Sequence, residues 1–185
     1  MNKPTSRPQW SRDRLLQELS TRGIQVKEPV FVVGVRGYYR DSMGEPGRND
    51  RGIYDDAIFV VGPDEFYSFN GNTDPSVQRK GIATLRPGVH TYRRGKHGIS
   101  RPGGGYPAFR PATKNEELPV DRDGVADPRP GVAINIHRGG ENGTSSEGCQ
   151  TIVPSQWEAF YSTLDGMLTR HKQSTFPYVL IVAQG

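Results

Sequence analysis

The sequence predicts a mainly β domain with flanking helices, an α+β chain, and three observations carry that prediction. First, 23 glycines and 15 prolines among 185 residues supply many turns and leave little room for long helices. Second, most apolar runs are of strand length and are bounded by Gly, Pro, Asn or Asp, as in residues 29–35 (PVFVVGV) and 178–183 (YVLIVA). Third, only two stretches carry helix-start signals, one near each end of the chain.

In chain order, residues 1–9 read as a disordered leader. Ser11 can cap a helix over 12–22, with Leu15, Leu16 and Leu19 as its apolar residues and Gly23 as its stop. Residues 1–28 then form a leader and helix, and residues 29–185 a single domain. Residues 29–35 predict a buried strand, and the polar, Gly-rich residues 38–52 a loop. Residues 53–61 and 65–69 predict a hairpin around Gly62-Pro63-Asp64, with Asn70-Gly71 marking a further turn. Two short strands, 81–85 and 88–92, flank Arg86-Pro87. Residues 101–131 are rich in Pro and Gly and show little periodicity. They are either disordered or a loop that covers a site, with room for a short strand around Tyr106–Phe109. Residues 132–136 alternate as a strand. Ser155-Gln156-Trp157-Glu158 is a capping-box pattern opening a helix with Trp157, Phe160, Tyr161, Leu164 and Leu168 on one face and Gly166 as its weak point. Residues 178–183 close the chain as a buried strand.

Composition excludes several function classes. No apolar run approaches the ~18 residues of a membrane span, and the charged N-terminus lacks the apolar core of a secretory signal. A single cysteine rules out an intramolecular disulfide framework, so folding in a reducing cytoplasm is expected. The excess of 24 Lys+Arg over 20 Asp+Glu is mild and suits an anionic partner such as a cell wall. No nucleic-acid motif and no basic helix accompany it, so no nucleic-acid partner is expected, and the chain reads as a monomer.

The chemistry concentrates in residues 135–152, NIHRGGENGTSSEGCQTI, which hold the lone Cys149 and His137. A strand delivers His137, a Gly/Asn/Ser/Thr-rich loop turns back, and Cys149 arrives beside it. A thiol attacks as thiolate, and an adjacent imidazole that takes its proton lowers its pKa. Gly148 lets the backbone approach a ligand closely, and the N–H groups of Gly148 and Cys149 can receive an oxyanion. Alone, a cysteine is most often a small buried hydrophobe. His90 and His97 with His137 and Cys149 offer the ligand types of a zinc site, though their spacing matches no zinc motif. His171 reads as exposed on a helix, and Asp121-Arg122-Asp123-Gly124 as a turn that lacks the remaining ligands of a calcium loop. Arg138 is suited to hold a carboxylate bidentately or to stay solvated. Tyr92, Tyr106 and Phe109 either flank the cleft or pack in the core.

Chain order separates this pattern from papain-like peptidases, in which the Cys precedes the His. The order His137, then Ser146-Glu147-Gly148-Cys149, resembles the L,D-transpeptidase (YkuD-like) family, whose pattern is His-Gly, a loop, then Ser/Thr-His-Gly-Cys followed one residue later by Asn or Arg. The segment 86–91 (RPGVHT) is similar to that family's Thr-Pro-x-Gly-x-Tyr strand pair, and the likeness spans about residues 53–165. Arg138 stands in place of the family's Gly, Glu147 in place of its His, and Thr151 in place of its Asn or Arg. The loop of eight residues between His137 and Ser146 is short, as in phage-borne or secreted antibacterial forms.

The resemblance implies a β-sandwich or barrel with a Cys–His cleft, no cofactor and no resident metal. It implies Cys149 as nucleophile, His137 as general base and then acid, and Ser146, Arg138, Gly139, Thr151, His97 and Tyr92 around the substrate. The implied partner is the bacterial peptidoglycan stem peptide, attacked at the bond between meso-diaminopimelate (L-centre) and D-Ala. Hydrolysis is the leading expectation, in a phage lysis enzyme or an injected antibacterial effector carried to the wall by a holin, a virion or a secretion machine. Transpeptidation or D-amino-acid exchange, a non-catalytic virion or wall-binding module, and a zinc hydrolase are the alternatives.

Overall fold

The computed structural model of the protein describes residues 2–184. It is mainly β with two helices, α1 (Arg12–Thr21) and α2 (Pro154–Arg170). The strands are β1 (Phe31–Arg36), β2 (Asp56–Val61), β3 (Phe66–Asn72), β4 (Ala83–Leu85), β5 (Gly88–His97) and β6 (Tyr106–Pro111), followed by β7 (Glu117–Leu118), β8 (Val120–Arg122), β9 (Gly131–Val132), β10 (Ile136–Arg138), β11 (Gln150–Ile152) and β12 (Thr175–Val182). Eight of them close into a large mixed sheet in the order β1-β12-β5-β6-β10-β11-β3-β2, with β2 returning to β1. Two neighbour pairs are parallel, β1 with β12 and β10 with β11. The remaining neighbours around the barrel are antiparallel.

The unbroken apolar runs follow from burial on both faces. Along β1, Val32 joins one apolar cluster while Phe31, Val33 and Val35 join another. The first cluster takes Ile58, Val60, Tyr178 and Leu180 from the sheet and Trp157, Phe160, Leu164, Met167 and Leu168 from α2. The second takes Ala57, Phe59, Val61, Val179 and Ile181, covered by Leu15 and Leu19 of α1. Each fully buried side chain of this size contributes roughly 1.5–3 kcal/mol. Ser11 caps α1 by accepting from the Arg14 N–H, and Gly23 ends it at φ +69°, both as the sequence predicts.

Several expectations are corrected. Residues 2–10 are ordered rather than a disordered leader: Asn2 O accepts from Tyr54 N–H at 2.8 Å, Lys3 pairs with Glu141 at 2.6 Å, and Trp10 stacks on Phe59. These are long-range contacts, invisible to local periodicity. Asn70-Gly71 is no turn but lies in the C-terminal half of β3, where a Cβ on Gly71 would stand 2.8 Å from Thr151 O and 2.7 Å from Ile58 Cγ1. The glycine serves close approach to β11. Residues 81–85 and 88–92 do not pair with each other, because β4 pairs with β8 and β5 runs on to His97 between β12 and β6. Of the two readings of residues 101–131, disorder is the one set aside: they hold β6 where the short strand around Tyr106–Phe109 is expected, then a short 3₁₀ turn, β7, β8 and the first residue of β9. The capping box does not form; α2 starts at Pro154, its N-cap Val153 makes no side-chain bond, and Pro at the first helical position presets φ instead. Gly166 does not interrupt α2, which continues to Arg170.

Gly71→Ala is expected to cost about 1–3 kcal/mol by forcing β3 from β11. Urea denaturation measures it, and an unchanged midpoint would contradict the close approach.

Candidate functional site

The site forms where β5, β6, β10 and the residue before β11 meet. His97 ends β5 and faces Tyr106 at the start of β6 across an antiparallel pair. His137 is the central residue of β10, in register with Thr151 of the parallel β11. The expected strand over 132–136 is broken: β9 ends at Val132, Ala133 takes φ +53°, and β10 begins at Ile136. That break turns the Ala133 carbonyl to the thiol, which donates to it at 3.7 Å, while the Asn135 N–H donates to Cys149 Sγ at 3.3 Å. Gly148 holds φ +124°, and a Cβ there would stand 2.5 Å from Ala83 O. No other residue type delivers Cys149 along this path without strain.

The imidazoles of His97 and His137 stack with ring centroids 3.8 Å apart and 16° between planes. One ligating atom from each of His97, His137 and Cys149 lies within 4.8 Å of the others. His137 Nδ1 is 2.7 Å from Arg138 O. A carbonyl only accepts, so Nδ1 carries the proton and Nε2 keeps its lone pair. Tyr106 Oη, 3.1 Å from Nδ1, donates to the same carbonyl at 3.3 Å.

Electrostatics keep this group neutral. Burial first, and the stacked His97 second, push His137 down to about 3. Burial likewise lowers His97, with Arg101 and Arg110 adding to it. The Cys149 thiol is pushed up to about 11, chiefly by burial and against the Asn135 N–H that favours the thiolate. The thiol of the free site is therefore not lowered by its imidazole neighbour, contrary to the expectation from residue types. Two neutral imidazoles tolerate stacking where two cations would repel.

A hollow of ≈ 380 Å³ exposes the cluster, lined by His97, Arg101, Ala133, Ser145, Glu147 and Cys149 among others. A groove of ≈ 370 Å³ is lined by Arg138 with Tyr106, Trp157, Glu158 and Tyr161. Arg138 is exposed there, its guanidinium 6.0 Å from the Tyr106 ring centre.

Of the remaining predicted residues, some hold the site from behind and others lie away from it. Ser146 is buried; its hydroxyl donates to Cys149 O at 2.7 Å and accepts from Gly148 N at 3.0 Å. Ser146 thus fixes the loop rather than facing a substrate, and the Gly148 N–H is already engaged rather than open to an oxyanion. Thr151 is fully buried within β11. Gly139 donates its N–H to Ile152 O at 2.9 Å and leaves space for the Tyr54 ring, so it too is a packing position. Tyr92 is fully buried between Phe176 and Tyr178 and donates to Ile134 O at 2.7 Å, which places it in the core and not on the cleft. Phe109 is core as well. His90 lies apart from the cluster, bonded to Arg86 O at 2.9 Å. His171 caps the end of α2. Asp121 and Asp123 pair with Arg86 and Arg51.

Sequence reasoning missed Asn135 and Arg101. Asn135 is buried, its Nδ2 3.1 Å from His97 Nδ1, and its Oδ1 has no partner. One signal was present: a polar residue two positions before His137, on the same face of an otherwise apolar run. Compared with protein-family models, curated proteins and solved structures, the chain matches none.

His137 makes stability pH-dependent. Its pKa falls from an unfolded value near 6.5 to about 3, so the unfolded chain binds a proton first. The contribution is complete above pH ~6.5 and is lost as pH falls from there toward 3, at up to about 1.4 kcal/mol per unit. Asp55 and Asp74, pushed up to about 8 and about 7 mainly by burial, act with the opposite sign and lose stability as pH rises. Urea stability of wild type minus His137→Asn isolates the histidine. The difference should shrink steadily between pH 6.5 and 4; a pH-independent difference would contradict a neutral buried imidazole.

Proposed function

We propose that the chain is a cysteine acyl-transfer enzyme acting on bacterial peptidoglycan stem peptides, of the L,D-transpeptidase type. The single observation that carries this reading is the Cys149 thiol beside two neutral imidazoles at the edge of an open hollow, with His137 Nε2 left as a base. The substrate rests on the resemblance of the His137 and Ser146–Cys149 pattern. In that reading the barrel is YkuD-like.

Cys149 Sγ attacks the carbonyl carbon of the meso-diaminopimelate L-centre, and its proton passes to His137 Nε2. Because the free thiol sits at about 11, attack and proton transfer occur together, and negative charge develops on the substrate oxygen rather than on sulfur. With the Gly148 N–H bound to Ser146, the Cys149 N–H is the candidate oxyanion donor. The C–N bond then breaks, and His137 returns the proton to the D-Ala amine. Water adds to the thioester with His137 again taking a proton, and the acid is released with the thiol regenerated. Arg138, exposed in the groove with Tyr106 and Trp157, suits the terminal D-Ala carboxylate.

A second reading, a non-catalytic wall-binding module, is favoured by one observation: the raised thiol already bonded to Ala133 O. Digestion of purified sacculi followed by mass spectrometry separates the two. Wild type should shorten tetrapeptide stems, while Cys149→Ala and His137→Asn should fall by roughly a thousand-fold or more. Sacculi that bind the protein and stay intact would support the module and overturn the enzyme. New 3–3 cross-links without shortened stems would replace hydrolysis by transpeptidation.

A further inference from the structure

We propose that His97, His137 and Cys149 form a site for one zinc-type divalent cation, held by two imidazole nitrogens and a thiolate with a fourth position open to the hollow. The donor set is of mixed imidazole and sulfur type, which favours zinc over magnesium or calcium. Its atoms come from three separate strands or strand approaches and already lie within 4.8 Å of one another. A tetrahedral zinc with two nitrogens and one sulfur needs its ligand atoms about 3.3–3.6 Å apart. The cluster therefore has to contract by about 1 Å.

The surroundings supply what a metal-bound histidine requires, a partner for the nitrogen that does not ligate. His137 already has one, since Nδ1–H is bonded to Arg138 O and Nε2 is left for the metal. For His97 the partner is Asn135. With the amide as placed, Nδ2 faces His97 Nδ1 at 3.1 Å and Oδ1 is buried without a partner. Rotating the amide by half a turn places Oδ1 there, satisfies it with a proton on His97 Nδ1, and frees His97 Nε2. The flip gives Oδ1 a partner, moves Nδ2 into the position that Oδ1 leaves, and sets the tautomer that binds metal. Stacked rings hold their lone pairs parallel, so His97 must also tilt. It is the member able to do so, being only partly buried and at the end of β5.

Binding displaces the thiol proton to solvent and leaves the metal on sulfur, which removes Cys149 as a nucleophile. If the acyl-transfer reading holds, zinc is then a reversible off-switch of that site; the metal site itself does not depend on that reading.

The test uses the reduced, chelator-treated full chain titrated with Co2+. Expected is one cobalt per chain, with a near-ultraviolet sulfur-to-cobalt charge-transfer band and the visible bands of tetrahedral cobalt, all removed by Zn2+. Cys149→Ser should lose the ultraviolet band, and His97→Ala should weaken binding at least about tenfold, whereas the distant His171→Ala should bind as wild type. In the unmodified chain, zinc should slow iodoacetamide labelling of Cys149, a readout that needs no variant. Absence of a charge-transfer band, equal loss in His171→Ala, or unslowed labelling would each overturn the site. Sacculus digestion in chelator reports the acyl-transfer reading separately.

Discussion

The parallel pairing of β10 and β11 is the constraint on which the site depends. Only a few residues take part, yet they are tied at both ends: Gln150 N–H to Asn135 O at 2.8 Å, and Gly139 N–H to Ile152 O at 2.9 Å. Parallel neighbours need a long connection, and here residues 139–149 supply it with no helix. The connection is stiffened instead by bonds to its own backbone and to distant parts of the barrel. Ser146 closes its last turn, Tyr54 holds Gly140 O, and Thr144 meets Ser76 at 2.7 Å. Tyr178 reaches from β12 to Gln150 at 2.9 Å, so the core of the barrel bears on the residue next to Cys149.

Rigid support explains the electrostatics. The imidazoles ride on β5 and β10 and the thiol enters just before β11, and burial there favours the neutral form of each. Such an imidazole holds a proton less well than an ordinary histidine, so it accepts one only as charge develops on a bound partner. A lone pair on His137 Nε2, fixed by the Arg138 carbonyl, is available to a proton or to a metal without first losing a charge. The same geometry therefore admits acyl transfer and cation binding, and the ligand present decides between them.

Much of the fold was legible because apolar runs and caps are local signals. Residues 29–35, 53–61 and 178–183 read as strands since both faces are buried, and Ser11 and Gly23 bracket α1 as their chemistry requires. The failures share one cause, which is that long-range pairing overrode local punctuation. Asn70-Gly71 looks like a turn until β11 needs its backbone close, and Ala133 breaks an alternating run so that its carbonyl can meet the thiol. His137 and Cys149 were legible as types and spacing. Their shifted protonation was not, because it comes first from burial, and for His137 next from the stacked His97, and both arise only through tertiary packing.

The central claim is that His137 is neutral, with its proton on Nδ1 and a free lone pair on Nε2. Long-range proton–nitrogen correlation NMR of the imidazole at pH 5 tests it directly. A neutral ring protonated on Nδ1, well below the pH at which an ordinary histidine is charged, is the expected result. An imidazolium at that pH, or a neutral ring protonated on Nε2, would contradict the account.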